Sequence, residues 1–168
     1  MKIFLLGLMG SGKSFWAEKL STTLGISHFD LDAEIERKEK KTIAEIFQTE
    51  GEEAFRKEEA EALRTFSNKE AFILSTGGGT PCFHGNMQWM NDHGTTIWLD
   101  EPLDIIEERL KTQRFHRPLI ASVPEPELKD VLSQMLSKRN AVYSEAKFRL
   151  RGRDITEENF LKILSANE

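Results

Sequence analysis

Residues 7–14 read G-L-M-G-S-G-K-S and contain the first side chains of the chain that could do chemistry. Glycines at these spacings let successive backbone N–H groups turn towards an anion, and a helix that begins here adds partial positive charge. A lysine and a serine at the end of such a loop suit the phosphates and the Mg²⁺ of a nucleoside triphosphate. The pattern therefore predicts a phosphate-binding loop in which Lys13 reaches the β- and γ-phosphates and Ser14 ligates one Mg²⁺.

The segments on either side of this loop are those that the motif requires. Lys2–Leu6 is a short apolar run typical of a buried strand. Residues 14–24 have the apolar spacing of a helix, which Gly25 ends. A glycine and serine turn before a helix is the alternative, but the order of strand, loop and helix favours phosphate binding.

Two further predicted strands end in residues that could bind a ligand. Asp30 and Asp32 follow the second strand, and side chains two apart on an extended chain point the same way. They could serve Mg²⁺ through water or a substrate hydroxyl, or they could form a turn and cap a helix. Gly77, Gly78 and Gly79 follow the third strand, where they could let a ligand approach backbone N–H donors or simply form a flexible turn.

Two predicted helices carry charged residues where apolar ones are expected. Glu59 lies in the apolar stripe of a helix over 52–66, and Arg56 can pair with it from three residues earlier. Arg139 interrupts the stripe of a helix over 127–146, where its planar fork would suit a carboxylate or a phosphate. The alternatives are a surface ion pair and an arginine whose stem covers apolar surface.

The longest irregular segment is a basic one. Arg114 and Arg117 lie within residues 112–124 of an otherwise acidic chain. Long loops of compact domains are often lids, and an arginine closing over a triphosphate would neutralise charge and exclude water. The segment predicts a mobile lid, and a solvated loop is the alternative.

The order of the predicted elements indicates the fold class. Strands alternate with helices along all 168 residues, which predicts a single α/β domain over 1–168 built on a parallel sheet. Ligands of such sheets bind outside the carboxyl ends of the strands. We therefore expect the phosphate loop, the aspartate pair and the triple glycine to meet in one cleft.

Composition argues against several classes of partner and site. The net charge of −5, with no basic tract to offset it, argues against nucleic acid. The single Cys82 excludes an internal disulfide and a cysteine-built metal site, and it fits a reducing cytoplasm. The chain enters a strand at once and has no apolar run near the ~20 residues of a membrane span, so we expect neither a signal peptide nor a membrane partner. No long apolar face is left over, which favours a monomer.

Taken together, these segments resemble the shikimate kinase family. The resemblance covers nearly the whole chain in the family's order, and it is carried by G-L-M-G-S-G-K-S at 7–14, F-D-L-D followed by an isoleucine and a glutamate at 29–36, I-F-x-x-x-G-E-x-x-F-R-x-x-E at 46–59, S-T-G-G-G at 75–79, R-P-L at 117–119 and R-N-A-V-Y at 139–143. It implies the three-layer P-loop NTPase fold of the nucleoside-monophosphate-kinase-like type, with a central parallel five-stranded sheet flanked by helices and a mobile lid. It also implies transfer of the γ-phosphoryl group of ATP to the 3-hydroxyl of shikimate with one Mg²⁺, a step in the biosynthesis of chorismate and the aromatic amino acids.

The resemblance implies roles for particular residues. Lys13 would stabilise the transferring group, Asp32 would hold the shikimate hydroxyls and act as base, and Arg117 would be a lid arginine on the phosphates. Asp30 would support the metal ion through water. The expected ATP-binding residues are Gly10, Ser11, Gly12, Lys13, Ser14, Phe15, Arg117 and Arg153. The expected substrate-binding residues, carried largely by helices over about 31–66, are Asp32, Arg56, Gly78 and Arg139, supported by Phe47, Phe55, Glu59, Gly77 and Gly79.

Some positions leave the interpretation open. Ala141 stands where the family usually has proline, so the helix that bears Arg139 is expected to run straighter. The residue that stacks on adenine could be Arg109, Lys111 or Arg114. Of the tryptophans, we expect Trp16, Trp89 and Trp98 in the core rather than against a cofactor.

Other kinases remain as competing interpretations. Gluconate kinases and other small-metabolite kinases share the fold and the phosphate loop, but the triple glycine and the pair Phe55 and Arg56 favour shikimate. A more distant alternative is a nucleotide-binding switch that acts on no metabolite. Its guanine-reading N-K-x-D motif fails in N-K-E-A at residues 68–71, which lacks the aspartate.

Overall fold

Five parallel strands form the centre of the fold in the computed structural model, which describes residues 1–113 and 117–166. The sheet has the order β2-β3-β1-β4-β5, and every neighbouring pair is parallel. The predicted five-stranded parallel sheet is confirmed. The strands are β1 (Lys2–Leu6), β2 (His28–Asp30), β3 (Phe72–Ser75), β4 (Thr95–Asp100) and β5 (Phe148–Arg151).

Helices cover both faces of this sheet, which confirms the three layers. Alternate residues of β1 point to opposite faces, so Phe4 and Leu6 belong to one hydrophobic cluster and Ile3 and Leu5 to the other. No helix in the described part of the chain is long and apolar enough to cross a membrane. The helices are α1 (Lys13–Leu24), α2 (Leu31–Glu39), α3 (Ile43–Thr65), α4 (Asn86–His93), α5 (Leu103–Gln113), α6 (Leu128–Tyr143) and α7 (Glu157–Ser165).

The helix α3 is bent at Gly51. Thr42 begins it with a capping box, in which the threonine hydroxyl accepts from Glu45 N and the Glu45 carboxylate accepts from Thr42 N. Gly51 has φ 85° and ψ 170°, a conformation open almost only to glycine. The bend directs the second half of α3, with Phe55, Arg56 and Glu59 among its buried residues, against the end of β3.

Two details of the predicted elements are wrong. The helix α6 ends at Tyr143 rather than at residue 146. It runs through Ala141 without interruption. Asp30 and Asp32 are not neighbours on one extended strand either, because α2 already begins at Leu31.

Candidate active site

The phosphate loop connects β1 to α1 and encloses the side chain of Lys13. Lys13 is buried, and its Nζ donates to the carbonyls of Gly7 at 2.9 Å and Leu8 at 2.8 Å. Gly7 has φ 144°, and a Cβ there would lie 2.6 Å from the Leu99 carbonyl, so glycine is required for both conformation and space. The loop therefore holds the lysine ammonium on two backbone carbonyls beside the N-terminus of α1, and helix N-termini attract anions.

The Lys13 ammonium is easily deprotonated where it lies. Burial lowers the pKa of Lys13 to about 7, Arg117 adds to this effect, and Asp32 and Asp30 oppose it. Ser11 is also fully buried in the loop, and its hydroxyl has no hydrogen-bond partner among the described residues. Although Ser11 is a predicted ATP-binding residue, its side chain lines neither of the two chambers described below.

Asp30 caps a helix and also contacts the phosphate loop. Its Oδ1 caps α2 by accepting from Asp32 N at 3.1 Å and Ala33 N at 3.4 Å. Its Oδ2 accepts from the hydroxyl of Ser14 at 2.8 Å, and that hydroxyl also lies 3.3 Å from Ser75 Oγ. One carboxylate thus fixes the start of α2 and holds the serine at the end of the phosphate loop.

The oxygen atoms around Ser14 fit a hard divalent cation. Carboxylate and hydroxyl oxygens suit Mg²⁺, which usually takes only one or two protein groups and completes its shell with water and phosphate oxygens. In keeping with this, no group of three or more histidine, cysteine, aspartate or glutamate side chains that could hold a metal ion occurs in the described ranges. A dedicated all-protein cage is therefore absent from these ranges, whereas Ser14 and Asp30 are suitably placed.

Asp32 lies in the first turn of α2, where its carboxyl group faces several charges. Burial raises the pKa of Asp32 to about 7, and the negative charges of Asp30 and Glu59 raise it further, while Lys13 and Arg117 act against them. A carboxylate with a pKa near neutrality is suited to accept a proton at physiological pH.

The triple glycine is required for space and not for a special backbone conformation. None of Gly77, Gly78 and Gly79 has a positive φ. A Cβ on Gly77 would lie 2.9 Å from an oxygen of Glu59, and one on Gly78 would lie 3.1 Å from Nη1 of Arg139. A Cβ on Gly79 would overlap the guanidinium of Arg56. The flexible turn is therefore the weaker interpretation, because charged side chains pack directly on this backbone.

Arg56 and Glu59 form a buried ion pair, so the interpretation as a surface pair is wrong. Their side chains are only 4% and 0% exposed, and Arg56 Nη1 donates to Glu59 Oε2 at 2.8 Å. The Arg56 guanidinium lies 4.4 Å from the ring centre of Phe83, and its Nε and Nη2 contact Glu52 Oε1 at 3.3 and 3.2 Å. Charged groups are buried at a high cost, which makes a functional role for this pair more plausible.

Arg139 projects from α6 towards the same backbone. Its Nη1 is buried and makes no hydrogen bond within the described residues. Arginine side chains are rarely buried without a charged or polar partner, and the planar guanidinium group matches the geometry of a carboxylate. Tyr143, one turn later on α6, is fully buried and donates its hydroxyl proton to the carbonyl of Gly78. Sequence reasoning placed Tyr143 in a motif but gave it no role.

These residues line two joined chambers, as the prediction of one cleft requires. The first has a volume of about 700 Å³ and surrounds the phosphate loop, and the second has about 510 Å³ and lies between α2, α3 and α6. The residues that line both chambers, and so stand at their junction, are Met9, Asp32, Gly77, Gly78 and Arg117.

The structure brings nearly all of the candidate residues to these chambers. Gly10, Gly12, Lys13, Ser14, Phe15 and Arg117 line the first chamber. Arg153 is exposed and does not line it, although its neighbours Gly152 and Ile155 do. The second chamber is lined by all of the expected substrate-binding residues, namely Asp32, Phe47, Phe55, Arg56, Glu59, Gly77, Gly78, Gly79 and Arg139.

Sequence reasoning missed part of the wall of the first chamber. Trp16 lines the chamber, although its ring also packs on Phe160 in the core at 4.9 Å between ring centres. Arg109, which was a predicted candidate for stacking on adenine, lines the chamber too, and its Nη1 donates to the Gly10 carbonyl at 2.9 Å. Trp16 could have been found from its position one helical turn after Gly12.

Two other residues were candidates for stacking on adenine. Lys111 pairs with Glu108 and does not line the chamber, and Arg114 lies outside the described residues.

Residues 117–124 of the predicted lid are described. Ile120 in this segment is fully buried in the core, and Arg117 reaches both chambers. Burial lowers the pKa of Arg117, and Asp32 and Asp30 oppose this shift. Mobility of the segment remains a prediction.

Comparison with known proteins identifies what this chain is similar to. A family model described as "Shikimate kinase" matches residues 9–167. A shikimate kinase of Phocaeicola vulgatus is 39% identical over 146 residues, which cover 87% of this chain and 83% of that protein. A shikimate kinase of Aquifex aeolicus is 36% identical over 168 residues, covering 100% of this chain and 96% of that protein.

Solved structures show the same similarity. Shikimate kinase from Acinetobacter baumannii in complex with shikimate has a TM-score of 0.90 at 29% identity, covering 99% of this chain and 94% of that one. Shikimate kinase from Bacteroides thetaiotaomicron, solved at 1.7 Å, has a TM-score of 0.86 at 32% identity, covering 99% and 96%.

The raised pKa of Asp32 predicts a pH-dependent effect of Asp32→Asn on stability. Asp32 ionises at about pH 7 in the folded protein and near pH 4 when unfolded, so the folded state holds more protons in between and the wild type loses stability as the pH rises through this window. Asparagine cannot ionise. We expect the free energy of unfolding of the variant, relative to wild type, to increase by about 2 kcal/mol between pH 5 and pH 8.

Urea denaturation of the ligand-free proteins at several pH values measures this difference. Asp92→Asn, at an exposed position of α4 outside both chambers, is the control. A difference for Asp32→Asn that stays constant from pH 5 to pH 8 would contradict the pKa of Asp32 given above.

Proposed function

This chain belongs to the shikimate kinase family, and we propose that the residues gathered in its two chambers divide the reaction of that family between them. The chain is an ATP-dependent kinase of a small metabolite, and the reaction transfers the γ-phosphoryl group of ATP to the 3-hydroxyl of shikimate. Gluconate kinase and a nucleotide-binding switch are thereby left without support. The proposal for the individual residues rests on one observation, the shared wall at which Asp32 and Arg117 meet.

The first chamber would hold the nucleotide. The loop backbone and Lys13 would bind the β- and γ-phosphates, and the bound anion would favour the charged form of Lys13 over the neutral one. Ser14 would ligate one Mg²⁺ and Asp30 would contact its water, since their oxygen atoms lie together at the end of the loop. The ion would neutralise negative charge on the phosphates.

The adenine base would lie on the side of the chamber formed by Trp16 and Arg109. Both residues approach Gly12, where an added Cβ would lie 3.5 Å from Trp16 Cδ1 and 3.6 Å from Arg109 Nη1. An aromatic ring and a guanidinium plane both stack well on a flat base. Among the candidates in the described part, Arg109 is therefore the residue that we propose for stacking, with Arg153 as an outer contact.

The second chamber would hold shikimate. Arg56 and Arg139 approach the glycine backbone from α3 and α6, and two guanidinium groups suit the carboxylate of the substrate. Asp32 would accept hydrogen bonds from ring hydroxyls, and the backbone of Gly78 would supply a further polar contact. Phe47 and Phe55, whose ring centres are 4.8 Å apart, would form the apolar wall, and Glu59 would orient Arg56.

Chemistry would occur at the junction of the chambers. Asp32 would take the proton of the attacking hydroxyl on its carboxylate, which its pKa of about 7 permits near neutral pH. Lys13 and Arg117 would stabilise negative charge on the transferring group from the nucleotide side. Phosphoryl transfer depends mainly on positioning and charge stabilisation, and these groups would supply both.

We also propose that the chain acts as a monomer in the cytoplasm, without nucleic-acid or membrane partners. The large hydrophobic residues that are exposed in the described part are far apart in the sequence and on different elements, namely Met1, Phe15 and Ile105. Stable interfaces normally need a contiguous patch that is larger than such single residues.

An acceptor panel tests the choice of substrate. We expect coupled ADP release with Mg·ATP and shikimate, and none above background with gluconate or nucleoside monophosphates, because two arginines and one aspartate match a ring that bears a carboxylate and hydroxyls. Release with gluconate instead would overturn the assignment of the second chamber and leave that of the phosphate loop intact.

The role of Asp32 as base predicts a loss of turnover in Asp32→Asn. We expect kcat to fall by a factor of roughly 10² to 10⁴, the usual contribution of a general base. Binding of ADP, measured by calorimetry, should change little because the phosphate loop is untouched. Asp92→Asn is the matched control. Normal turnover in Asp32→Asn would remove Asp32 from the mechanism.

The role of Arg139 predicts a defect confined to shikimate. We expect Arg139→Ala to raise the KM for shikimate by roughly 10- to 100-fold, the loss of a charge-assisted hydrogen bond, with the KM for ATP within threefold. Steady-state kinetics with each substrate varied in turn measures the two constants. Arg149→Ala, which removes an arginine paired with Asp100 outside both chambers, is the control. A larger effect on ATP would show that Arg139 serves the nucleotide.

A further inference from the structure

The carboxylate of Glu59 has a second buried partner that the proposed reaction does not use. Its Oε2 accepts from Arg56, and its Oε1 accepts from the hydroxyl of Thr80. Glu59 and Thr80 are both 0% exposed. A buried carboxylate retains its charge and its orientation only when both oxygens are satisfied, so Thr80 determines how Glu59 is presented to Arg56.

Thr80 is itself held from three sides. It lies directly after the triple glycine, and its N–H donates to the Gly77 carbonyl at 3.2 Å. Its own carbonyl accepts from Asn86 Nδ2 at 2.8 Å, and Asn86 is also fully buried. The side chain, the N–H and the carbonyl of Thr80 are therefore all engaged, which leaves its hydroxyl little freedom to move away from Glu59.

The chain of hydrogen bonds continues from Asn86 back to α3. Asn86 Oδ1 accepts from Arg64 Nη1, and the other terminal nitrogen, Nη2, donates to the His84 carbonyl at 2.9 Å. Arg64 lies eight residues after Arg56 on the same helix, which is about 12 Å along the helix axis. The network thus leaves α3 at Glu59, passes through Thr80 and Asn86, and returns to α3 at Arg64.

We propose that Thr80 is a positioning residue for substrate binding, which acts through Glu59 on Arg56. The inference rests on the proposed role of Arg56 as a ligand of the shikimate carboxylate. Thr80 fixes Glu59, and Glu59 fixes Nη1 of Arg56, while Glu52 Oε1 contacts Nε and Nη2, so the guanidinium keeps one orientation against the backbone of Gly79. Preorganisation of this kind reduces the ordering that binding must otherwise supply.

Thr80→Val and Thr80→Ala test the inference, because each removes the hydroxyl and retains an apolar side chain. We expect either variant to raise the KM for shikimate at least fivefold and to leave the KM for ATP within twofold. Thr80→Ser, which keeps the hydroxyl, should stay within twofold of wild type for both substrates. The alanine variant covers the case in which valine is too large for the space beside Gly77.

The chain offers a matched control in Thr96. Thr96 is also 0% exposed, and its hydroxyl donates to Asn91 Oδ1 at 2.6 Å and accepts from Lys147 N at 2.8 Å. It lies near the amino end of β4, away from the edge of the sheet that forms the cleft. Thr96→Val should lower the melting temperature and leave both KM values within twofold of wild type.

A double-mutant cycle separates positioning from a merely structural effect. If Thr80 acts through Arg56, Thr80→Val should have no further effect on the KM for shikimate in an Arg56→Ala background. An equal fold-change in the KM for shikimate in the wild-type and Arg56→Ala backgrounds would overturn the inference. So would a KM for shikimate that stays within twofold of wild type in both Thr80→Val and Thr80→Ala. A failure of Arg56→Ala alone to raise this KM would instead refute the proposed role of Arg56.

Discussion

The second chamber depends on a buried ion pair, Arg56 with Glu59. The two side chains are almost fully buried, and the pair is tolerable because its polar atoms are engaged: Glu59 accepts from Arg56 and Thr80, and Arg56 also donates to Glu52. This requirement explains features that otherwise look unrelated. Both residues are carried by the capped and bent helix α3. A Cβ on Gly77 or Gly79 would collide with the side chain of Glu59 or Arg56. The hydroxyl of the buried Thr80 donates to the second oxygen of the Glu59 carboxylate.

A second set of charges couples the two chambers. Asp32 raises the pKa of Lys13 and of Arg117, Arg117 lowers the pKa of Lys13, and both cations lower the pKa of Asp32. Lys13 and Asp32 have pKa values of about 7. Burial brings the pKa values of Lys13 and Asp32 close to neutral pH, where a small change in the surrounding charge alters which of the two holds a proton. We therefore expect an anion that binds beside Lys13 to shift the pKa of Asp32 at the junction of the chambers through its charge.

The sequence was sufficient for the features that depend on local pattern. The phosphate loop is contiguous, the strands are short apolar runs, and Arg56 and Glu59 are three residues apart on one helix, so their pairing could be predicted. The contacts between residues far apart in the sequence could not be predicted. Thr80 contacts Glu59 of α3, and Tyr143 of α6 contacts Gly78, because the end of β3 lies against both helices. No spacing in the sequence indicates that these elements are close together. Trp16 packs on the core as predicted, but it also lines the first chamber, because one helical position can face both core and cleft.

The three glycines after β3 also bear on how the site could escape inhibition. Each of them packs against the side chain of a different residue of the second chamber, with Glu59 and Asp32 at Gly77, Arg139 at Gly78 and Arg56 at Gly79. Every replacement of a glycine adds at least a Cβ, which would require one of these neighbouring side chains to shift. On the roles proposed for those side chains, we expect resistance to an inhibitor that binds this stretch of backbone to reduce catalytic fitness.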